Sequence, residues 1–203
     1  MGNSYFTIDE GVDKNIATFS RTVDAATVHT QKVAADEPFL ESYNVVVTGT
    51  VAISTANSHI LQIMAGGTFR VSLRRIVIWQ VGNANATAKI QLQLLRLTSA
   101  GTGGTAYTPA RLDPASGAAG CAGMTLPSSK GTESTIIDQW EPLIHATSTT
   151  VGVNPILDHY WDIDRVQTPY ITAGTSNGLA FKCVPSDSTA TLRMVATVTE
   201  SGY

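Results

Sequence analysis

Charged residues are scarce in this 203-residue chain. They make up 14% of it, where roughly a quarter is usual for a soluble domain. This low charge excludes a coiled coil, a long helical bundle and a charge-driven disordered chain, because all three need more Glu, Lys or Arg. Hydrophobic residues, including abundant alanine, have an ordinary share of 43%, and much of the remainder is threonine, serine and glycine. We therefore expect a folded, mostly β protein.

Basic side chains are too few and too scattered to form a surface for nucleic acid or anionic lipid. The formal net charge is -3 and the pI is near 5.7, whereas a nucleic-acid binder normally clusters Lys and Arg on one face. The densest basic spot, Arg70, Arg74 and Arg75, lies inside an apolar run. We expect neither nucleic acid nor a membrane among the partners. A low surface charge also suits faces that become buried in an assembly.

Long apolar runs and a secretory leader are lacking as well. No run approaches the roughly 20 residues that span a bilayer, and the segment from Met1 to Phe6 has neither the basic nor the apolar region of a signal peptide. Two cysteines, Cys121 and Cys183, have no CxxC spacing, which favours reduced thiols and leaves a disulfide open. These features predict a protein that is made and assembled in a cytoplasm.

Alternation of apolar and polar residues predicts antiparallel strands from residue 44 onward. Apolar residues recur at every second position in 44–53, in 88–97 and on both sides of the turn at 185–188, as in half-buried strands. The run 69–79 becomes apolar throughout after Arg75, which predicts a strand covered on both faces by a second sheet or by a neighbouring subunit. We expect an all-β fold, an antiparallel β-sandwich of jelly-roll type.

Two segments lack a clean period. Residues 1–43 are predicted to be an N-terminal arm or additional strands, and 44–203 a single β-sandwich domain. A short helix over 24–35 is an alternative that its threonines and valine weaken. Residues 98–130 are rich in Gly, Thr and Pro and predict a long central loop without regular structure. A loop of this length in a compact domain usually has a functional or binding role.

Motifs for metal binding and catalysis are absent. The four histidines are dispersed and show no metal-ligand spacing, and the acidic loop Asp158–Asp164 lacks the Gly and Glu of a calcium loop. There is no Gly-x-Ser-x-Gly elbow and no phosphate-binding loop. We expect no metal, no cofactor, no catalytic residue and no enzymatic activity. A carboxylate pair among Glu133, Asp138 and Glu141 stays open, because the separation that matters is spatial.

Aromatic residues in polar surroundings are the candidate interface residues. Trp79 lies in a predicted strand and is expected in the core, whereas Trp140 and the Tyr160–Trp161 pair lie among polar and turn residues. Such rings anchor protein interfaces or stack on sugars, and they also plug the open end of a sandwich. The candidate set comprises the aromatics of both irregular segments as well: Tyr5, Phe6, Tyr107, Trp140, Tyr160 and Trp161.

The segment Leu95–Pro109, LRLTSAGTGGTAYTP, and the block around it from Ile60 to Pro127 resemble accessory virion proteins of tailed bacteriophages. The match is closest in style to the capsid decoration (cement) proteins. The resemblance implies a homo-oligomer, often a trimer, on the capsid surface of the virion. Its partners would be other copies and the major capsid protein, contacted through residues 1–40 and 98–130. No functional residue is transferred by the resemblance.

Two other functions remain open. One is a tail, neck or fibre component of the same kind of virion, with glycans stacking on Trp140, Tyr160 or Trp161. The other is a carbohydrate-binding module or carbohydrate-active enzyme of cellular origin that would use the carboxylates named above. The missing secretory signal counts against the cellular alternative, because such modules usually act outside the cell.

Overall fold

The computed structural model describes residues 18–23, 26–31, 41–146, 154–161 and 168–201. Its regular structure in these ranges is entirely β, and they contain no helix long and apolar enough to cross a bilayer. The strands are β1 (Thr18–Val23), β2 (Ala26–Gln31), β3 (Glu41–Val46), β4 (Val51–Ala52), β5 (Ser58–Met64), β6 (Arg70–Gln80), β7 (Ala88–Lys89), β8 (Leu92–Leu97), β9 (Thr105–Tyr107), β10 (Ala110–Arg111), β11 (Ala122–Thr125), β12 (Glu133–Trp140), β13 (Leu143–Ile144), β14 (Pro155–Tyr160), β15 (Tyr170–Ile171), β16 (Gly178–Cys183) and β17 (Thr191–Ser201).

The chain divides into two compact units, residues 1–37 and residues 38–203. In the first unit, β1 and β2 pair as an antiparallel hairpin. The helical alternative for residues 24–35 is wrong, since β2 occupies half of that segment. The β-branched Thr27, Val28 and Thr30 of β2 explain the difference, because branching at Cβ favours strands over helices.

The second unit is built from eight main strands in two antiparallel sheets. The first sheet has the order β3-β17-β6-β14 and the second has the order β12-β8-β16-β5. Within these sheets the strands pair in a nested way, the first with the last: β3 with β17, β5 with β16, β6 with β14 and β8 with β12. The all-β class and the antiparallel sandwich are thereby confirmed. The first strand of this unit, β3, begins at Glu41, slightly before the predicted boundary at residue 44.

The core lies between the sheets. The way in which β6 packs on it explains why apolar and polar residues stop alternating along this strand. Val71 and Leu73 point into the core at the start of this strand, and Ile76 and Ile78 do so further along. The register with β17 shifts between these two pairs, so one extra residue of β6 is accommodated there as a bulge. A bulge exchanges the inward and outward positions of a strand, and the change of phase in the sequence therefore marks this bulge.

The chain itself covers the second apolar face of its strands. Leu95, Leu97 and Ala180 form a separate buried cluster with Met64. Leu95 pairs with Ala180 on one side and with Ile136 of β12 on the other, which places the cluster on the outer face of the second sheet. These outer side chains of β8 and β16 are buried within the single chain, so no neighbouring copy is needed to cover them.

The long central loop is present, but it is not structureless. We call residues 98–130 the insertion. Its strands β9 and β11 extend the second sheet beyond β5, and β10 pairs with β3 at the edge of the first sheet. Residues 102 and 129 form a bridge between its two ends. Gly103 takes a left-handed φ of 73°, where a side chain would also collide with Ser128.

Candidate functional site

Four rings, which we call the aromatic group, join the edges of the two sheets. Trp140 ends β12 at the edge of the second sheet, and His159 lies in β14 at the edge of the first. Their ring centroids are 5.3 Å apart, and His159 lies 4.5 Å from Trp161 in an edge-to-face arrangement. Phe181 completes the group, 6.3 Å from Trp140. These separations are typical of favourable aromatic pairs.

Burial divides the aromatic group into an inner and an outer half. Phe181 is fully buried and Trp161 is only 4% exposed, whereas Trp140 and His159 are half-buried. The predicted sugar-stacking or interface role of Trp161 is therefore not available in this structure, because its ring is packed in the core. Of the roles that the sequence analysis considered for these rings, closing the open end of the sandwich is the one that fits the buried position of Trp161.

Tyr160 differs from its neighbours because its side chain is 59% exposed. It pairs with Arg75 across the edge of the first sheet. Arg75 in turn donates two hydrogen bonds to Asp158, of 2.9 Å and 2.7 Å. These bonds lower the pKa of Asp158 and raise the pKa of Arg75. The outer surface of β14 thus presents one open aromatic ring beside an exposed ion pair.

The other predicted interface residues are not part of this group. Tyr107 lies in β9 of the insertion, where it is half-buried and packs against the core. Tyr5 and Phe6 lie outside the described residues. The structure therefore brings Trp140 and Trp161 together, places Tyr160 beside them with an exposed ring, and positions Tyr107 in a different element.

A buried polar network, which the sequence did not reveal, lies on the outer face of the second sheet. We call it the His59 network, and His59 at its centre has a fully buried side chain. Its Nε2 lies 2.9 Å from Oε1 of Glu133, and its Nδ1 lies 2.6 Å from Nε2 of Gln62. Lys130 and Lys182 complete the network through Glu133. His59 and Glu133 are 74 positions apart in sequence, so no local motif could have indicated the pair.

The charges of the His59 network fix its protonation at neutral pH. Lys182 lies 2.8 Å and Lys130 lies 3.3 Å from the Glu133 carboxylate. Burial raises the pKa of Glu133, but hydrogen bonds from Lys182, His59 and Lys130 outweigh it and lower that pKa to about 2. Burial also lowers the pKa of His59, although Glu133 acts in the opposite direction. An ionised carboxylate therefore faces a neutral imidazole.

Carboxylates hold the insertion at a second place, on the first sheet. Glu200 of β17 is 2% exposed and accepts hydrogen bonds from the backbone N–H groups of Gly120, at 3.0 Å, and Cys121, at 2.6 Å. Glu41 accepts one from the N–H of Gly117, at 3.1 Å. Backbone N–H groups of the insertion are thus satisfied by acidic side chains of the sheet, as buried donors require.

Two of the three carboxylates that the sequence left open for catalysis have basic partners. Glu133 belongs to the His59 network, and Glu141 lies 3.9 Å from Lys89 on the surface. In the part of the chain that the structure describes, no three His, Cys, Asp or Glu side chains are arranged to hold a metal ion. Cys121 and Cys183 are both free and buried, and burial raises the pKa of Cys183 to about 12.

No protein-family model, curated protein or solved structure matches this chain.

Proposed function

We propose that this chain is a structural virion protein of a tailed bacteriophage, a capsid decoration protein that binds the assembled capsid as a homo-oligomer, with a trimer favoured. We also propose that its β-sandwich is a jelly roll. The observation that carries the proposal is the nested pairing of the eight main strands, the first with the last, divided between two sheets. Eight strands wound in this way form the jelly roll that viral capsid domains share with lectins and cupins.

The hydrogen bonds that fix the insertion on the two sheets support a binding role. Glu200 and Glu41 hold the insertion on the first sheet, and the His59 network holds it on the second. A surface segment that is fixed before binding loses little conformational entropy on association. The insertion thus has the properties of a preformed contact surface, which is the role that we propose for it.

Exposed apolar side chains give that surface its binding energy. Leu112 is 52% exposed and Leu126 is 36% exposed, and both belong to the insertion. Burying such side chains against a partner contributes roughly 25 cal/mol for each Å² removed from water. Because the partner surface exists only after assembly, binding stabilises the assembled shell by mass action. Repetition over many symmetry-related sites adds avidity.

Particles of the phage that encodes the chain test the proposal. Immunogold labelling should lie on the capsid, and shells that are stripped of the protein should lose resistance to heat and regain it when purified protein is added. Leu112→Asp should weaken this rebinding at least tenfold. Ile136→Asp is the matched control, because Ile136 is equally exposed but lies outside the insertion. Absence of the protein from particles, or equal binding by both variants, would contradict the proposal.

Glycan binding by a tail or fibre component is the second candidate, and the exposed ring of Tyr160 favours it. Sugars stack on open aromatic faces, which Trp161 does not offer. Glycan-array binding that is lost in Tyr160→Ala, together with immunogold labelling of the tail, would support this candidate over decoration. Light scattering of the purified protein separates the oligomer from a monomer, and a stable trimer supports the capsid role.

A further inference from the structure

The His59 network lies between the second sheet and the insertion. His59 pairs with Lys182 of β16 on the outer face of the sheet. From the insertion, the N–H of Leu126 donates to the backbone carbonyl of His59, at 3.1 Å, and the N–H of Gly101 donates to Oε1 of Gln62, at 3.0 Å. The network is therefore the polar part of the contact that holds the two ends of the insertion on the sheet.

The donor and acceptor roles of the groups around Gln62 and His59 can be assigned in only one way. A backbone N–H can only donate, so the oxygen of Gln62 must face Gly101 and its NH₂ group must face His59. Nδ1 of His59 then has to accept a hydrogen bond, and the single ring proton is on Nε2, where it is donated to Glu133. This arrangement is satisfied only by the neutral imidazole with its proton on Nε2.

A second proton on His59 cannot be accommodated by turning a side chain. It would place an N–H on Nδ1 directly against the NH₂ group of Gln62. Turning the Gln62 amide would relieve that contact but would bring the same NH₂ group against the N–H of Gly101. Either orientation leaves two donors facing each other inside the protein, and a buried donor without an acceptor is costly.

The charged groups around His59 do not remove this conflict. Glu133 of β12 attracts a positive charge, but it already receives hydrogen bonds from Lys182 of β16 and Lys130 of the insertion. Both lysines oppose a third cation at this position. The low pKa that burial gives His59 acts in the same sense.

We propose that the His59 network is an acid-sensitive latch, which holds the insertion on the second sheet while His59 is neutral and releases it when His59 is protonated. Since His59 binds its proton more weakly in the closed form than in the open form, the stabilisation is complete above pH 6.5 and decreases as the pH falls below it. The equilibrium constant for opening the insertion should rise as the pH falls below 6.5, by at most about tenfold per pH unit.

Hydrogen exchange of the full-length protein between pH 7.5 and pH 5.2 tests the latch, after correction for the intrinsic pH dependence of exchange. Amides of residues 98–102 and 126–132 should show opening that increases as the pH falls below 6.5, by at most about tenfold per pH unit, while amides in the core strand β17 should not. This range stays well above the pKa of about 2 of Glu133, so the carboxylate does not titrate within it.

Gln62→Glu is the decisive variant. A carboxylate at this position accepts from the N–H of Gly101 with one oxygen and from a protonated Nδ1 with the other, so the conflict disappears. In this variant the NMR-detected pKa of His59 should rise above 6.5, and the pH dependence of opening should be lost. Gln139→Glu is the control, because it makes the same change of charge at an exposed position of β12, and it should behave like the wild type.

Three results would overturn the latch. The first is a wild-type His59 that titrates at or above pH 6.5, and the second is opening of the insertion that does not change with pH. The third is a Gln62→Glu protein that remains as acid-sensitive as the wild type. If that variant does not fold, the ¹⁵N shifts of the wild-type imidazole decide the question at pH 7.5: protonation on Nε2 supports the latch, and protonation on Nδ1 refutes it.

Discussion

The two sides of the sandwich are closed by different chemistry. On one side, the insertion covers the edges with short strands and is held by carboxylates, with Glu200 accepting two backbone N–H groups. On the other side, the longer edge strands β12 and β14 are joined by the packed rings of Trp140, His159 and Trp161. Both arrangements complete the same core, but one depends on hydrogen bonds and ionisation, and the other on shape and apolar area.

Because of this difference, the stability of the two sides should depend on different properties of their side chains. Truncating a buried ring lowers the stability of the fold because it leaves a cavity. A carboxylate that accepts hydrogen bonds from buried donors contributes to stability only while it is ionised and keeps both oxygens. We therefore expect the aromatic side to respond most to changes of size. The insertion side should respond to changes of polarity and pH. The following predictions test this contrast, from the largest expected effect to the smallest.

Trp161→Ala should have the largest effect, because it removes a nearly buried ring that contacts both Trp140 and His159. We expect the free energy of unfolding to fall by about 3–5 kcal/mol, measured by urea denaturation and circular dichroism. The neighbouring exposed ring is the control, and Tyr160→Ala should change the same free energy by less than about 0.5 kcal/mol. Similar losses in both variants would show that Trp161 is not a core residue.

Glu200→Ala should lower the free energy of unfolding by about 3 kcal/mol, because two backbone donors of the insertion lose their acceptor. Glu200→Gln keeps one acceptor oxygen but turns its NH₂ group towards the second backbone N–H, so it should cost at least as much. Urea denaturation at pH 7 measures both, and hydrogen exchange at Gly120 and Cys121 locates the change. An amide variant that is clearly more stable than the alanine variant would contradict this expectation.

The Glu133 carboxylate makes the stability of the insertion side depend on pH in a more acidic range than His59 does. Its pKa is lowered from 4.5 to about 2 in the folded protein, so its contribution to stability is complete above pH 4.5 and decreases between pH 4.5 and pH 2. Glu133→Gln should lower the free energy of unfolding at pH 7 by about 1–2 kcal/mol, since the carboxylate is partly exposed. The variant should also have a flatter pH dependence below 4.5, and an unchanged slope would contradict this assignment.

Arg75→Ala should have the smallest effect. The Arg75–Asp158 pair has good geometry, but both side chains are more than 40% exposed, and water and salt screen such pairs. We expect only a small loss of the free energy of unfolding at low ionic strength, which disappears in 1 M salt. A larger, salt-independent loss would mean that the aliphatic part of Arg75 supports the edge of β14 by packing.

The two C-terminal strands were predictable and the insertion was not, for a physical reason. The turn at 185–188 also predicts that these strands pair as a hairpin, which is wrong, because β16 lies in the second sheet and β17 in the first. Residues 179–183 and 192–198 alternate between apolar and polar side chains around a turn, and they form the expected strands β16 and β17. The insertion is made of small residues without a period, and its short strands exist because they pair with β3 and β5. Its structure is imposed by edges that lie elsewhere in the sequence.

The candidate site shows the same limit. The sequence drew attention to Trp140, Tyr160 and Trp161, since aromatic rings among polar residues are conspicuous. It could not decide which ring is buried, and the structure exposes Tyr160 and buries Trp161. It also gave no sign of the His59 network, because the importance of His59 depends on Glu133, 74 residues away.

The sequence by itself determined that the chain is all-β and where most of its longer strands run, because a period of two and turn residues are local properties of the chain. The tertiary structure alone decided how both apolar faces are covered. It shows that Leu95 and Leu97, on the outer face of the second sheet, are buried within the single chain, whereas the sequence left a second sheet and a neighbouring subunit open as the cover of a strand that is apolar on both faces. Burial and hydrogen-bond partners depend on contacts between distant segments, and no local pattern encodes those contacts.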